Sequence, residues 1–290
     1  MDIFMNLTLS GLSTGMMIFL LASGLSLIFG LMGVLNFAHG SIFMWGAYSG
    51  VWIYFRTQSF SLAILAGMIM GMALGWLAER TIIRRVYGRH VSQILLTTGL
   101  MLVLNEVLKA VFGPNIIAVP IPPLLAGSWE LGGIIIVKYR VFTISVGLLV
   151  AAAVHFILTR TRVGMIVRAG VQNQEMVQVL GINIRQVFSL VFMFGAGLAA
   201  LGGVMMAPAI GSINPNMGLE NQMLAFIVVV IGGMGSILGS ALASVLVGLA
   251  GVYTAWFLPE AALAVNVLFM TIVLLIKPSG LFGMGGGHNS

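Results

Sequence analysis

Residues 222–256 read QMLAFIVVVIGGMGSILGSALASVLVGLAGVYTAW, an uninterrupted stretch of 35 residues without a charged side chain. About 20 mostly apolar residues suffice to cross a bilayer as a helix, so this run is too long for one untilted helix. Gly232-Gly233-Met234-Gly235-Ser236 interrupts it, which predicts a half-helix, a turn and a returning helix. A break of this kind is tolerated in a membrane only where its backbone lines a polar cavity or is buried in protein.

The rest of the chain has the same apolar character. Of the 290 residues, 60% are hydrophobic and only 7% are charged, whereas soluble domains carry roughly 25% charged residues. This composition excludes both a water-soluble globule and a disordered chain. Further apolar runs lie near 5–34, 37–55, 60–78, 91–112, 141–158, 187–209 and 261–276.

These runs predict an all-α polytopic membrane protein. We expect a single transmembrane domain over residues 1–290 with about eight hydrophobic helical segments, broken or re-entrant near 32–41 and 231–237. The glycine-rich tail, 283–290, is expected to be flexible. Within the outer segment 113–140, residues 129–136 predict a small hairpin around Gly132-Gly133.

Basic residues indicate how the chain lies in the membrane. Nine of the thirteen lie between apolar runs that would share one side of the bilayer: Arg80, Arg84, Arg85, Arg89, Arg160, Arg162, Arg168, Arg185 and Lys277. Basic residues concentrate on the cytoplasmic side of membrane proteins. The pattern therefore predicts an outer N-terminus and an inner C-terminus, provided that 222–256 returns to the side from which it entered.

Several kinds of chemistry are excluded. The chain contains no cysteine, so it has no thiolate nucleophile or zinc–thiolate site. None of its three lysines follows a glycine and precedes Ser or Thr, so ATP hydrolysis through a phosphate-binding loop is excluded. We expect no catalytic residues, no metal site and no bound cofactor, and therefore no enzyme.

Two polar interruptions are candidates for the lining of a translocation path. Asn36-Phe37-Ala38-His39-Gly40-Ser41 places three hydrogen-bonding side chains within a hydrophobic stretch, where each is costly unless satisfied. Hydrogen bonds between helices or helix capping explain them as well as a path does, and the two interpretations are compatible. The candidates are Asn36, His39, Ser41, Gly232, Gly233, Gly235 and Ser236; the four polar residues among them are expected near mid-membrane.

The polar segment 159–186 is the most informative part of the predicted cytoplasmic side. Residues 172–181 have the pattern of a short surface helix that ends at Gly181. One side of this helix is apolar, so it could lie in the lipid interface or dock into a groove on a soluble partner. The residues alone leave both alternatives open.

Three motifs together resemble the permease subunits of bacterial ATP-binding cassette importers, in the branched-chain amino acid family that includes urea permeases. The first is Asn36-Phe37-Ala38-His39-Gly40 followed by Gly46-Ala47-Tyr48. The second is Gly164 with Arg168-Ala169 and then Glu175 through Gly181, and the third is residues 232–239. The ending, residues 277–283, is also similar to that of the family, and the resemblance covers nearly the whole chain.

The resemblance implies a subunit of a bacterial inner-membrane importer that translocates a small polar solute by alternating access. Branched-chain or other amino acids are the expected solute; the alternatives are urea or another small solute, or a self-sufficient secondary transporter or channel. The implied partners are a homologous second permease, two cytoplasmic ATPases that bind ATP and Mg²⁺, and a periplasmic binding protein. The implied ATPase contacts are Arg168, Ala169, Glu175, Met176, Val177 and Gly181.

One departure from the family pattern concerns these contacts. Importer permeases of this family bind their ATPases through a segment with the pattern Glu-Ala-Ala-x-x-x-Gly. In this chain, Met176 and Val177 occupy the positions of the two alanines. The spacing from Glu175 to Gly181 is intact. The resemblance therefore favours docking to a partner over the lipid interface for this segment, with an altered fit to the ATPase groove.

Overall fold

The computed structural model describes residues 2–131, 134–172 and 174–283. Helices dominate this part of the chain, which confirms the predicted all-α membrane fold. The helices are α1 Asp2–Met32, α2 His39–Thr57, α3 Phe60–Thr81, α4 His90–Phe112, α5 Lys138–Arg160, α6 Arg162–Gln172, α7 Gln174–Val179, α8 Ile184–Ile210, α9 Met217–Gly232, α10 Ile237–Phe257 and α11 Ala262–Ile276.

Six of these helices are long and apolar enough to cross a membrane: α1 from Ile3 onward, α3, α4, α5, α8 and α10. Helix α9 and residues 264–276 of α11 are apolar but shorter. The predicted count of about eight segments is thus approximately right. The structure has more helices than predicted segments for two reasons. The run 222–256 forms two helices, and the polar segment 159–186 contains the short helices α6 and α7.

Both predicted breaks are present. Helix α1 ends at Met32, and the chain continues without helix to His39, where α2 begins. The second break, 233–236, uses Gly233 and Gly235 at φ +98° and +86°, a left-handed backbone that glycine adopts without steric cost. Ser236 then caps α10, because its hydroxyl oxygen accepts a 3.0 Å hydrogen bond from the Gly239 N–H.

The outer segment contains the predicted hairpin. Strand β2 (Ser128–Leu131) pairs antiparallel with β3 (Ile134–Val137), with Leu131 opposite Ile134; Gly132 and Gly133 lie outside the described residues. Helix α5 begins at Lys138, three residues before the predicted apolar run. Two further short strands, β1 (Ile117–Ala118) and β4 (Ser212–Ile213), pair antiparallel and attach the outer segment to the end of α8.

The core is built by close approach of helix backbones. A side chain on Gly24 of α1 would overlap the carbonyl oxygen of Gly195 in α8, and one on Gly71 of α3 would lie 2.7 Å from the Ala196 oxygen. Helices in lipid gain packing energy in this way, since apolar side chains find no hydrophobic driving force there. The small residues therefore let α1 and α3 pack directly against α8, and α1 and α8 are the most buried of the long helices.

The predicted cytoplasmic basic groups belong to helix ends that meet at one end of the bundle. Leu31, Ala78, Val177 and Ile184 join one buried apolar cluster, which brings together the last turns of α1 and α3 with α7 and the start of α8. At the opposite end, Phe60 packs edge-on against Tyr139, 6.2 Å between ring centroids. These helix ends thus lie together as predicted, and the side of the membrane that they face stays a prediction. The tail residues 284–290 lie outside the described residues.

Candidate functional site

Two helices begin in the middle of the bundle. The Nε2 atom of His39, the first residue of α2, lies 3.1 Å from the carbonyl oxygen of Leu21. Leu21 precedes the end of α1 by 11 residues, about 16 Å of helix. Asn221, in the second turn of α9, lines a cavity together with Met17 and Ile18, which lie near the midpoint of α1. Both α2 and α9 thus start within the membrane span.

The two helix starts contact each other through glycine. A side chain at Gly40 of α2 would overlap the Gly218 carbonyl oxygen, and one at Gly218 of α9 would lie 2.7 Å from the Gly40 oxygen. Neither start is capped by a side chain of its N-cap residue, Ala38 for α2 and Asn216 for α9. The first turn of a helix leaves backbone N–H groups without an intrahelical acceptor. Here the N–H groups of His39, Met217 and Leu219 donate to backbone oxygens at 3.0–3.3 Å. Those of Gly40, Ser41 and Gly218 have no acceptor within the described residues.

A cavity of about 140 Å³ lies at this junction. It is closed on one side by α4, which is attached to α2 by hydrogen bonds from Ser41 Oγ to the Met101 oxygen (3.2 Å) and from Trp45 Nε1 to the Leu104 oxygen (3.0 Å). The lining residues are Phe37, Gly40, Ser41, Met101, Leu102, Asn105, Pro215, Asn216, Gly218, Leu219 and Gln222.

Three buried polar groups beside the cavity lack partners within the described part of the chain: Asn36 Nδ2, His39 Nδ1 and Gln222 Oε1. The Gln222 side chain is 1% exposed, and its Nε2 donates to the Asn36 carbonyl oxygen at 3.4 Å. A buried polar group without a partner costs about 1–3 kcal/mol. Such groups mark a place where water or a ligand completes the hydrogen bonding.

The first polar motif forms hydrogen bonds that link helices and cap a turn. His39 and Ser41 each bond a backbone carbonyl of another helix, and the Asn36 Oδ1 atom accepts a 3.1 Å hydrogen bond from the Ala38 N–H. Ser41 also lines the cavity. Hydrogen bonds between helices and a polar cavity therefore coexist at this motif, and the path itself stays a prediction.

The second set of candidates lies elsewhere. Gly235 packs against Gly30, its Cα lying 2.7 Å from a Cβ built on Gly30, and Gly233 packs against Gly283. Gly30 is nine residues beyond Leu21 on α1, about 13 Å further along the helix. The expectation that Ser236 lies near mid-membrane with Asn36 and His39 is therefore wrong. The turn joins two helices at the predicted cytoplasmic end because α9 continues that far before it breaks.

The sequence interpretation missed three polar residues that line the cavity: Asn105, Asn216 and Gln222. Glu220 does not line it and is exposed one turn beyond Asn216 on α9. Polar and ionisable side chains at this depth face a protein interior or water rather than lipid. The available signal was the polar cluster 214–222 directly before the long apolar run, which reads as an outer loop when the span is assumed to begin at Gln222.

A second cavity of about 330 Å³ lies in the outer half of the bundle, between α1, α5, α8 and α9. Its polar walls include Ser13, whose hydroxyl lies 2.7 Å from that of Thr143, and Arg140, whose Nη1 donates to the Asn6 oxygen at 3.3 Å. Asn221 lines this cavity, and its neighbour Gln222 lines the smaller one. Helix α9 therefore separates the two.

The predicted coupling segment forms α6 and α7. Helix α7 ends as predicted, with Gly181 at φ +79° and its N–H bonded to the Gln178 oxygen at 2.9 Å. Val177 is buried and Ala169 packs against the same apolar cluster, whereas Arg168, Met176 and Gly181 lie on the surface. The Glu175 side chain lies outside the described part. Val177, one of the two departures from the family pattern, thus serves the fold rather than the surface.

A buried ionic cluster adjoins this segment. The Glu79 carboxylate, fully buried at the end of α3, accepts two 3.1 Å hydrogen bonds from Arg84 and 2.6 Å hydrogen bonds from Tyr87 and Ser189. Burial, and secondarily the bond to Glu79, raises the pKa of the Tyr87 hydroxyl far above its usual range. Because Ser189 lies one turn into α8, the cluster ties α3 to the helix that follows α7.

Within the described residues, no group of three or more His, Asp or Glu side chains could hold a metal ion. The arrangement supplies polar cavities among the membrane-spanning helices and an exposed helix at the predicted cytoplasmic end. It is suited to moving or binding a solute rather than to covalent chemistry.

Comparisons with known proteins agree with this arrangement. Residues 7–277 match the model of the family described as branched-chain amino acid transport system, permease component. The high-affinity branched-chain amino acid transport system permease protein LivH of Salmonella typhimurium is 29% identical over 97% of this chain and 96% of its own length. The corresponding protein LivM of Escherichia coli is 25% identical over 93% of this chain and 68% of its own length.

One solved structure, PsaBC from Streptococcus pneumoniae in complex with Fab, is 13% identical. The superposition covers 92% of this chain and 89% of the chain in that structure, with a TM-score of 0.49.

Proposed function

Because this chain belongs to the family of branched-chain amino acid transport system permease components, we propose that it is a permease subunit of an ATP-binding cassette importer that carries branched-chain amino acids across the bacterial inner membrane. The observation that carries the proposal is the family match over residues 7–277. The broken helices and the mid-membrane cavity support it, since a scaffold without a conduit would not need them.

The proposed mechanism is alternating access. Closure of two partner ATPases on ATP moves α6 and α7, and α8 transmits the movement because it follows α7 directly and is bonded to α3 through Ser189 and Glu79. The central cavity then opens alternately to the two sides of the membrane. A homologous second permease completes the conduit; the similarity of this chain to both LivH and LivM supports such a pair.

Docking of an ATPase to α7 is supported by the surface of that helix. Val179 and Leu180 are both largely exposed, next to the exposed Met176. Contiguous apolar residues on a polar surface mark a contact site for another protein or for lipid. A soluble partner is the better match because the family places its ATPase contact at the segment Glu175–Gly181.

We expect Leu180→Asp to release the ATPases from the complex. A charge at the centre of an apolar contact costs at least about 2 kcal/mol, so copurification of the ATPase subunits should fall more than about tenfold. The control is Leu124→Asp at the opposite end of the bundle. It introduces the same charge at a leucine that is also largely exposed, 94% for Leu124 against 71% for Leu180. Equal retention of the ATPases in both variants would contradict docking at α7.

Uptake in proteoliposomes tests the proposed function. The transporter is reconstituted with its partner permease, ATPases and binding protein, and ATP-dependent uptake of labelled L-leucine is compared with that of urea. Leucine uptake that requires ATP supports the proposal. Transport by the solubilised chain alone without ATP would instead favour a secondary transporter or channel, and preference for urea would favour the urea branch of the family.

A further inference from the structure

We propose that the 140 Å³ cavity at the starts of α2 and α9 binds the head group of a zwitterionic amino acid, with the carboxylate at the two helix N-termini and the ammonium at Gln222 Oε1. This inference rests on the proposed transport function and adds to it an intramembrane binding site. The residues that form the site are Gly40, Ser41, Gly218 and Gln222.

The carboxylate position follows from the two helix starts. In these two first turns, the N–H groups of Gly40, Ser41 and Gly218 have no acceptor within the described residues. The helix dipole adds a partial positive charge at each N-terminus. Both features favour the binding of an anion at the helix N-termini. Because Gly40 and Gly218 carry no side chain, the backbones of α2 and α9 meet directly, and Gly40, Ser41 and Gly218 line the same cavity. The cavity has no acidic lining residue that would compete for them.

The ammonium position follows from Gln222. Its Oε1 atom is an acceptor without a partner within the described chain, on a side chain that is 99% buried and lines the cavity. An acceptor does not suit a carboxylate, but it suits an ammonium group. Donors on one wall and an acceptor on another match a zwitterion, whereas a simple anion would leave the Gln222 oxygen unpaired.

The mouth of the cavity suits an aliphatic side chain. Leu102 of α4 and Leu219 of α9 are both lining residues and are largely exposed. A cavity of this size holds a head group but not a whole branched-chain amino acid. The side chain would therefore extend past these two leucines, which accept any apolar group and reject a charged one.

Cysteine labelling can test this site because the chain contains no native cysteine. Ser41→Cys places a thiol in the cavity. Ser49→Cys is a matched control on the same helix: both serines are 7% exposed, and Ser49 bonds only to Trp45 and Gly46 carbonyls and does not line the cavity. Each variant of the reconstituted transporter is treated with an anionic (sulfonatoethyl) or a cationic (trimethylammonioethyl) methanethiosulfonate, and labelling of this chain is measured by mass spectrometry.

For each variant, the rate of labelling by the anionic reagent is divided by the rate with the cationic reagent. We expect this ratio to be at least about tenfold higher for Ser41→Cys than for the Ser49→Cys control. L-Leucine should slow this labelling most, 4-methylpentanoate less, and L-leucinamide, which lacks the carboxylate, least. Adding Gln222→Leu should abolish the advantage of leucine over 4-methylpentanoate, because the ammonium then has no acceptor.

Three outcomes would overturn the site. These are labelling without charge preference or protection, as for a cavity that holds only water; preference for the cationic reagent; and no labelling of Ser41→Cys. The uptake experiment separates this failure from that of the function. If ATP-dependent leucine uptake is absent, the proposed function fails; if uptake is present and labelling gives one of these outcomes, only the binding site fails.

Discussion

Replacing Glu79 with alanine is expected to lower the free energy of unfolding by about 3 kcal/mol, measured by reversible denaturation in mixed micelles. The carboxylate is fully buried and accepts hydrogen bonds from Arg84, Tyr87 and Ser189. Its removal leaves the guanidinium and two hydroxyl groups without their acceptor. The loss lies at the lower end of the range for breaking buried ion pairs because the Arg84 side chain is a third exposed and retains contact with water.

The matched control is Glu106→Ala. Glu106 also forms an ion pair, 2.7 Å from Lys109 Nζ, but its side chain is 70% exposed. Exposed ion pairs contribute between about 0 and 1 kcal/mol, so this variant should unfold nearly as the original protein does. The free energy of unfolding of Glu79→Gln should lie between those of the two alanine variants, because an amide oxygen can still accept a hydrogen bond from Tyr87 or Ser189. Equal stabilities for Glu79→Ala and Glu106→Ala would show that the cluster does not hold α3 to α8.

The elements that could be predicted from the sequence are those with local causes. Glycine and polar residues interrupt apolar runs at 33–38 and 233–236, and the structure breaks its helices there. The turn after α7 was predictable for the same reason, because Gly181 adopts a positive φ that glycine adopts at no steric cost. The hairpin β2–β3 follows from the glycine pair between its two strands.

The residues that make up the cavity and the ionic cluster depend on distant parts of the chain. Gln222 bonds Asn36 across 186 residues and Ser189 bonds Glu79 across 110, and no local pattern pairs them. The depth of Ser236 was misjudged for a related reason. A glycine break indicates where a helix ends but not how far into the membrane that end lies, which is set by where α9 begins.

Gly24→Ala is expected to be strongly disruptive, because Gly24 lies at the contact between α1 and α8, the two most buried of the long helices. The added Cβ would overlap the Gly195 carbonyl oxygen and lie 3.0 Å from His39 Nε2. Backbone cannot move aside as a flexible side chain can, so α1 and α8 must separate along their contact, at a cost of about 3 kcal/mol or more. Denaturation in mixed micelles and size-exclusion chromatography should show lower stability and a smaller folded fraction, and leucine uptake should fall because His39 is displaced from Leu21.

Gly99→Ala provides the comparison, since a Cβ at Gly99 meets no atom within 4 Å. Alanine is the better helix former by roughly 1 kcal/mol, so this variant should be as stable as the original protein or slightly more stable. Gly195→Ala tests the contact from the other helix: its Cβ would lie 2.8 Å from the Gly24 oxygen. Once either methyl has separated the helices, the second adds little, so the double variant should lose less than the sum of the two single losses. Additive losses, or a Gly24→Ala variant as stable as Gly99→Ala, would mean that the two backbones do not touch.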